Sequence, residues 1–258
     1  MKSYKGYLID LDGTMYRGTE VIKEAAEFVK RLISLNIPYL YVTNNSTKTP
    51  EQVAEKLNKF QIPAHADEVF TTAMASANYI AEQSPKANVY MIGEQGLKSA
   101  LMEKGLNLEE DSKQVDYVVV GLDQQISYEK LVLACLAIRN GASYVITNGD
   151  KALPSERGLL PGNGAIASVI SVSTQTDPIV VGKPESIIVD QAIKLLGLSK
   201  EDILMVGDNY HTDIMAGINA NIDTLLVHTG VTTKEDLLEY SVQPTYTTNS
   251  LSDWSVNK

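Results

Sequence analysis

One cysteine, Cys135, stands in a chain of 258 residues, so no intrachain disulfide can form and a thiolate metal cluster is excluded. It falls in the apolar stretch 131–138, where a buried structural thiol is the expected role. Basic residues are also scarce. The 22 Lys and Arg against 32 Asp and Glu leave a formal charge of −10. Nucleic acid is disfavoured as a partner, because its backbone is met by clustered Lys and Arg. An anionic substrate gains nothing from the overall field either, so a phosphate site must be made positive locally. The three histidines, His65, His211 and His228, show no metal-ligand spacing. No apolar run reaches the roughly 18 residues that cross a bilayer, so no membrane span is expected. Few residues precede the first strand pattern, which leaves no room for a signal peptide and makes the cytoplasm the expected compartment.

What the chain does have is an ordinary globular balance, 44% hydrophobic and 21% charged, enough for one large domain or two smaller ones. Short apolar runs at 7–11, 37–42, 89–92, 117–120, 144–146, 179–181, 203–206 and 224–227 read as buried strands. Helical patterns lie between them. Val21, Ala25, Phe28, Val29 and Leu32 recur at helical spacing, and Thr49-Pro50-Glu51-Gln52 reads as a capping box with proline at the first helical position. Ser127 opens a further helix and residues 186–196 another. Strands apolar on both faces and separated by helices imply an α/β fold, a Rossmann-like doubly wound parallel sheet.

The polar residues fall at strand ends, where open α/β sheets bind ligands. Four segments stand out. Leu8-Ile9-Asp10-Leu11-Asp12-Gly13-Thr14 carries two carboxylates, and Gly13 permits an immediate turn. Alone, it is equally well an Asp-rich turn. Val42-Thr43-Asn44-Asn45-Ser46 offers a hydroxyl and backbone amides that can hold phosphoryl oxygens, and alone reads as a polar loop. In Gly182-Lys183-Pro184, proline at a first helical position would place Lys183 at the positive end of a helix. Gly207-Asp208-Asn209-Tyr210-His211-Thr212-Asp213 sets two carboxylates five apart around a turn, suited to a hard cation such as magnesium.

In this order the four segments resemble the haloacid dehalogenase-like superfamily, whose motifs run DxDGT, a strand-end Thr or Ser, a Lys, and GDxxxxD. The detail, in Leu11-Asp12-Gly13-Thr14, Val42-Thr43-Asn44-Asn45-Ser46, Val181-Gly182-Lys183-Pro184 and Gly207-Asp208 with Thr212-Asp213-Ile214, resembles its NagD-type phosphatases, subfamily IIA with a type C2 cap. Asn209-Tyr210-His211 departs from that branch, which more often carries Arg-Leu and a polar residue there. The resemblance implies Asp10 as nucleophile and Asp12 as general acid and base. It implies Thr43, Asn44, Asn45 and Lys183 on the phosphoryl group, and Mg2+ held by Asp10, the Asp12 carbonyl and Asp208, with Asp213 acting directly or through water. The phosphatase chemistry this describes depends mostly on positioning and charge neutralisation.

Residues 79–179 carry their own strand and helix pattern and are too long for a loop. They are expected to form an inserted α/β cap, with 1–78 and 180–258 as the catalytic core. Asn148 and Asp150, in the loop after 144–146, and His211 are the candidates to touch substrate. Turn chemistry is the competing reading of the first two. The expected substrate is a small phosphorylated metabolite, first a sugar or acid-sugar phosphate, with a nucleoside monophosphate or pyridoxal phosphate next. A catalytically idle sugar-phosphate sensor is the competing class. A homodimer through the cap is compatible with this layout. Gly93-Glu94-Gln95-Gly96-Leu97-Lys98-Ser99 lacks P-loop spacing, and Gly162-Asn163-Gly164 reads as a helix-entry turn.

Overall fold

The computed structural model describes residues 2–155 and 157–256. The chain divides into two compact units. One comprises the described residues of Met1–Thr43, Glu51–Phe70 and Lys183–Lys258, the other Asn44–Pro50 and Thr71–Gly182. The second unit is wider than residues 79–179, in part because helix Thr72–Gln83 packs against helix Gln95–Glu103.

The first unit is built on a six-stranded sheet in the order Tyr246–Thr248, Asp223–Val227, Ile203–Gly207, Gly6–Ile9, Tyr39–Thr43, Val69–Thr71. The pairings joining the first five are parallel. The middle strands, GYLI, YLYVT and ILMVG, are buried along their whole length, as apolar strands covered on both faces must be. Helix Lys23–Ser34 buries Ala25, Ala26, Phe28, Val29 and Leu32, a stripe at three- and four-residue spacing that joins the Tyr7, Ile9 and Tyr41 cluster. Val21 lies outside this helix, in the short hairpin Tyr16–Arg17 with Glu20–Val21. Helix Pro50–Lys59 begins at the proline expected to open it.

The second unit holds a five-stranded parallel sheet in the order Ile179–Val180, Ser143–Ile146, Tyr117–Val120, Asn88–Ile92, Asn107–Glu109. Its core gathers Ile92, Val118, Val120, Ile138, Tyr144, Ile146 and Ile170, and buries Cys135 as a free thiol. Ser127 caps helix Tyr128–Arg139 by accepting from the Lys130 N–H at 3.3 Å. Gly162 is the N-cap of helix Asn163–Thr174, the entry turn read from the sequence. The parallel α/β expectation is therefore met. Among the described residues, no helix is long and apolar enough to cross a membrane.

Candidate active site

Gly6–Ile9 and Ile203–Gly207 are adjacent strands, yet the chain leaves the first toward Tyr39–Thr43 on its other side. Strand order thus reverses between them, and such a switch point opens a crevice at the carboxyl ends of the strands. Asp10 follows the first strand and Asp208 the second. The strand at Asp10 ends at Ile9, earlier than the expected 7–11, although the Asp10 N–H still donates to Val206 O at 2.9 Å. Leu11 then turns the chain, accepting from the Met15 N–H at 2.8 Å. Gly13 adopts a φ of 93°, and a Cβ there would collide with the Asp208 carboxylate. Asp12 shares an isolated bridge with Tyr16 and is exposed, whereas Asp10 is 8% exposed.

Asp208 and Asp213 bracket a widened turn, in which the Ile214 N–H reaches back five residues to Asn209 O at 3.3 Å. Such widened turns are frequent at functional sites. The geometry brings Asp213 back beside Asp208, and Asp10, Asp208 and Asp213 each place an oxygen within 4.8 Å of the others. Lys183 enters this cluster. Its Nζ donates to Asp10 Oδ1 at 2.5 Å, to Asp213 Oδ1 at 2.8 Å and to Val42 O at 3.0 Å. The expected helix origin for Lys183 is corrected here. Glu185, still extended at φ −67° and ψ 152°, is the N-cap, and helix Ser186–Leu196 starts two residues beyond Pro184.

Burial dominates the electrostatics. It pushes the Asp10 carboxyl well above its ordinary value, Asp213 and Asp208 add like-charge repulsion, and the Lys183 ammonium only partly offsets both. Burial and the Asp213 charge likewise raise Asp208 to about 7, against the Val231 N–H that donates to its Oδ2 at 2.7 Å. For Lys183 the balance is reversed. Burial alone would lower it, but the Asp10 and Asp213 carboxylates hold the ammonium above its ordinary value.

The residues fit a divalent cation. Three carboxylates against one ammonium leave two negative charges, and all donors are hard oxygens. Three supports of this cluster escaped the sequence reading. Thr14 Oγ1 lies 3.2 Å from Asp208 Oδ1 and 3.4 Å from Asp10 Oδ2, tying the two acidic segments together. Its place in the DxDGT motif was the available signal. The Val231 N–H and the side-chain-free Gly230, where a Cβ would collide with Asp208, carried no signal. Lys56 is a fourth residue of interest, its Nζ 3.8 Å from the Tyr16 ring centroid.

Thr43 closes its strand and is buried. Asn44 and Asn45, which follow it, belong to the second unit. The Asn45 carboxamide oxygen accepts from the Thr47 N–H at 2.9 Å and the Lys48 N–H at 3.2 Å, which commits it to a turn. Asn44 Nδ2 donates to the Asp150 carboxylate at 3.3 and 3.4 Å. Asn148 is buried, and its carboxamide is engaged on both sides. Nδ2 donates to Asn44 O at 2.8 Å and Thr147 Oγ1 at 3.4 Å, while Oδ1 accepts from the Asp150 N–H at 3.1 Å. A substrate contact by the Asn148 side chain, as expected from sequence, would have to displace these bonds. His211 is exposed, with Nε2 2.9 Å from the Tyr240 hydroxyl, and Tyr240 stacks on Tyr210 at 3.9 Å.

The haloacid dehalogenase-like hydrolase family model matches residues 7–107, and a related HAD-hydrolase-like model matches 180–254. The chain is 58% identical over 254 residues to the 5'-nucleotidase YutF of Bacillus subtilis (strain 168), covering 98% of each chain. It is 59% identical over 253 residues to an acid sugar phosphatase of Staphylococcus saprophyticus, covering 98% of this chain and 97% of that one. Among solved structures, a double mutant of the thermostable NPPase from Geobacillus stearothermophilus matches with a TM-score of 0.94 at 57% identity, covering 100% of both chains. The p-nitrophenyl phosphatase from Archaeoglobus fulgidus matches with a TM-score of 0.92 at 36% identity, covering 98% of both.

Proposed function

This chain belongs to the haloacid dehalogenase-like hydrolases, and on that premise we propose that it is a phosphatase of small phosphomonoesters that works through an aspartyl phosphate on Asp10. The observation that carries this reading is the buried contact of Lys183 Nζ with Asp10 Oδ1 at 2.5 Å, beside Asp208 and Asp213. A carboxylate crowded by other carboxylates and steadied by one ammonium is a poor anion-binding device but a serviceable nucleophile.

Asp10 attacks phosphorus in line, the bond from phosphorus to the leaving oxygen breaks, and Asp12 gives its proton to that oxygen. The exposed position of Asp12 suits a group that meets first the leaving alcohol and then water. As a carboxylate, Asp12 takes a proton from water, which attacks phosphorus and breaks the bond to Asp10, releasing orthophosphate. The Thr43 hydroxyl and the amides of Asn44 and Asn45, next along the chain, hold phosphoryl oxygens. Lys183 offsets the charge of the phosphoryl group and of Asp10. Hydrolases of this family generally use a divalent metal, and Mg2+ is the cation proposed for Asp10, Asp208, Asp213 and the Asp12 carbonyl, where it would neutralise phosphoryl charge.

Residues 79–179 are proposed to act as a cap that selects the leaving group, with 1–78 and 180–258 as the core and with Asn148, Asp150 and His211 as candidate contacts. Sugar or acid-sugar phosphates are the first substrate class. Nucleoside monophosphates are the second, a reading supported by the name of the relative at 58% identity. The lone buried cysteine supports a cytoplasmic setting. Exposed Leu159 and Val172, in residues 79–179, support a homodimer through that segment. Orthophosphate release from p-nitrophenyl phosphate with Mg2+, followed by a panel of phosphorylated sugars and nucleotides ranked by kcat/KM, tests the proposal. No release from any of these esters would leave the sensor reading in its place.

A further inference from the structure

Lys56 has no part in the phosphoryl transfer steps, yet its ammonium is held in place. It lies on helix Pro50–Lys59, one residue before the buried Leu57 and four before Phe60, so it shares a face with Phe60. Its Nζ sits 3.8 Å from the Tyr16 ring centroid and 5.6 Å from that of Phe60. The two rings are 5.3 Å apart and tilted by 59°, which makes an aromatic seat for a cation. Lys59, on the same helix, pairs with Glu55 at 2.8 Å. Among the described residues, Lys56 has no carboxylate within ion-pair distance and no oxygen accepting from its ammonium. Its N–H donors are therefore idle.

Tyr16 ties this seat to the acid Asp12. Its backbone oxygen accepts from the Gly13 N–H at 2.7 Å, and the residue bridges to Asp12. Burial lowers the Lys56 ammonium below its ordinary value, and the Asp12 charge raises it part of the way back, so the two groups feel each other. Arg17, next in the hairpin, donates instead to Thr229 O. Lys56, Tyr16, Phe60, Asp12 and Asp10 all belong to the first unit. Asp12 meets the leaving alcohol, so a charge on that alcohol arrives on the side of the site where Lys56 stands. A partly desolvated ammonium with idle donors gains most from an anion. On a chain of charge −10 it supplies locally what the overall field does not. One ammonium balances one unit charge, which suits a carboxylate better than a second, dianionic phosphate. We propose that Lys56, seated on Tyr16 and Phe60, is a specificity-determining residue that binds a carboxylate on the leaving alcohol. The inference rests on the phosphatase reading and narrows it to phosphate esters of hydroxy acids. Selection of the leaving group then begins on the first unit itself.

The test uses matched esters, phosphoglycerate with glycerol phosphate and phosphogluconate with glucitol phosphate, each phosphorylated on the terminal carbon. Within a pair a carboxylate is exchanged for a hydroxymethyl group and nothing else changes. The parent, Lys56→Gln, Lys56→Met and Lys56→Arg are compared with Mg2+, with folding checked by thermal melting. The readout is the ratio of kcat/KM between the acid and the alcohol of a pair. The parent should favour the acid in at least one pair. Lys56→Gln and Lys56→Met should lower that ratio by roughly tenfold to a hundredfold, mainly through KM, as expected for losing one hydrogen bond to a charged group. Lys56→Arg keeps the charge and can stack on the same rings, so it should keep more of the ratio than Lys56→Gln. A merely structural Lys56 would slow both members of a pair equally, and an unchanged ratio would overturn the proposal. So would a parent that favours the alcohol in both pairs, or a Lys56→Arg loss equal to that of Lys56→Gln. Should the parent hydrolyse no ester, the phosphatase reading fails by itself. Calorimetric titration of the same esters then decides the role of Lys56. Tighter binding of an acid than of its alcohol, lost in Lys56→Gln, supports it, and any other result refutes it.

Discussion

Lys183 and Asp213 form an ion pair at 2.8 Å in which both side chains are 2% exposed. Lys183 holds Asp10 at the same time, so one ammonium serves two buried carboxylates. Removing it strands both. Lys183→Met should lower the stability of the metal-free protein by about 3–5 kcal/mol, the usual consequence of breaking a buried pair. Turnover should fall by at least about a thousandfold if this charge helps neutralise the phosphoryl group. Denaturant unfolding and steady-state kinetics check the two effects separately. A variant as stable and as active as its parent would contradict the pairing as the organising contact of the site.

Divalent cation binding should become more stabilising as pH rises. The carboxyls of Asp10 and Asp208 are raised in the folded state, Asp208 from an ordinary 3.8 to about 7, chiefly by burial. A raised folded value means the folded protein binds protons more tightly than the unfolded chain. That contribution is present below the unfolded value and is lost as pH rises through the folded one. Metal-free protein should therefore lose stability between roughly pH 4 and pH 7 on this account, and added Mg2+ should restore it by replacing the protons. Melting temperatures with Mg2+ and with chelator, across that range, are the measurement. A gap that narrows with rising pH would contradict the charge balance described.

Gly13 is required twice over, by its φ of 93° and by the Asp208 carboxylate that a Cβ would strike. Gly13→Ala should destabilise the protein by about 1–3 kcal/mol from backbone strain alone. It should also displace Asp208, so Mg2+ should raise the melting temperature of the variant much less than that of the parent. Gly18, also at positive φ but with nothing near its Cβ position, is the control, and Gly18→Ala should leave the Mg2+ response intact. Equal Mg2+ responses for the two variants would remove Gly13 from the site.

Asp12 stands in a different environment from Asp10, and the difference should appear in leaving-group dependence. Asp12→Asn should slow alkyl phosphates far more than p-nitrophenyl phosphate, whose leaving group needs little protonation. Equal losses on both would remove Asp12 as the acid.

Much of this fold was legible because its strands are apolar on both faces. The run 117–120 coincides with strand Tyr117–Val120. Three further strands, Val69–Thr71, Asn107–Glu109 and Tyr246–Thr248, are only three residues long and lie at sheet edges, too short to show a period. The exposed hairpin Ala152–Ser155 with Gly158–Pro161 carries Pro154 and Pro161, which mask a strand pattern. At the site, residue types exposed the carboxylates and Lys183, because few strand ends hold so many charges. The supports were hidden. Val231 acts through a backbone N–H and Gly230 through the lack of a side chain, so nothing in their local sequence marks them.

The central claim is a covalent one, that phosphate passes through Asp10. Mixing the protein and Mg2+ with a phosphate-labelled ester, quenching in acid within one turnover and mapping the label by peptide mass spectrometry tests it directly. The expected result is a single phosphoryl group on the peptide containing Asp10, absent from Asp10→Asn, which should also lose turnover by far more than about tenfold while melting normally. Rapid hydrolysis with no labelled peptide, or label and turnover that persist in Asp10→Asn, would contradict it.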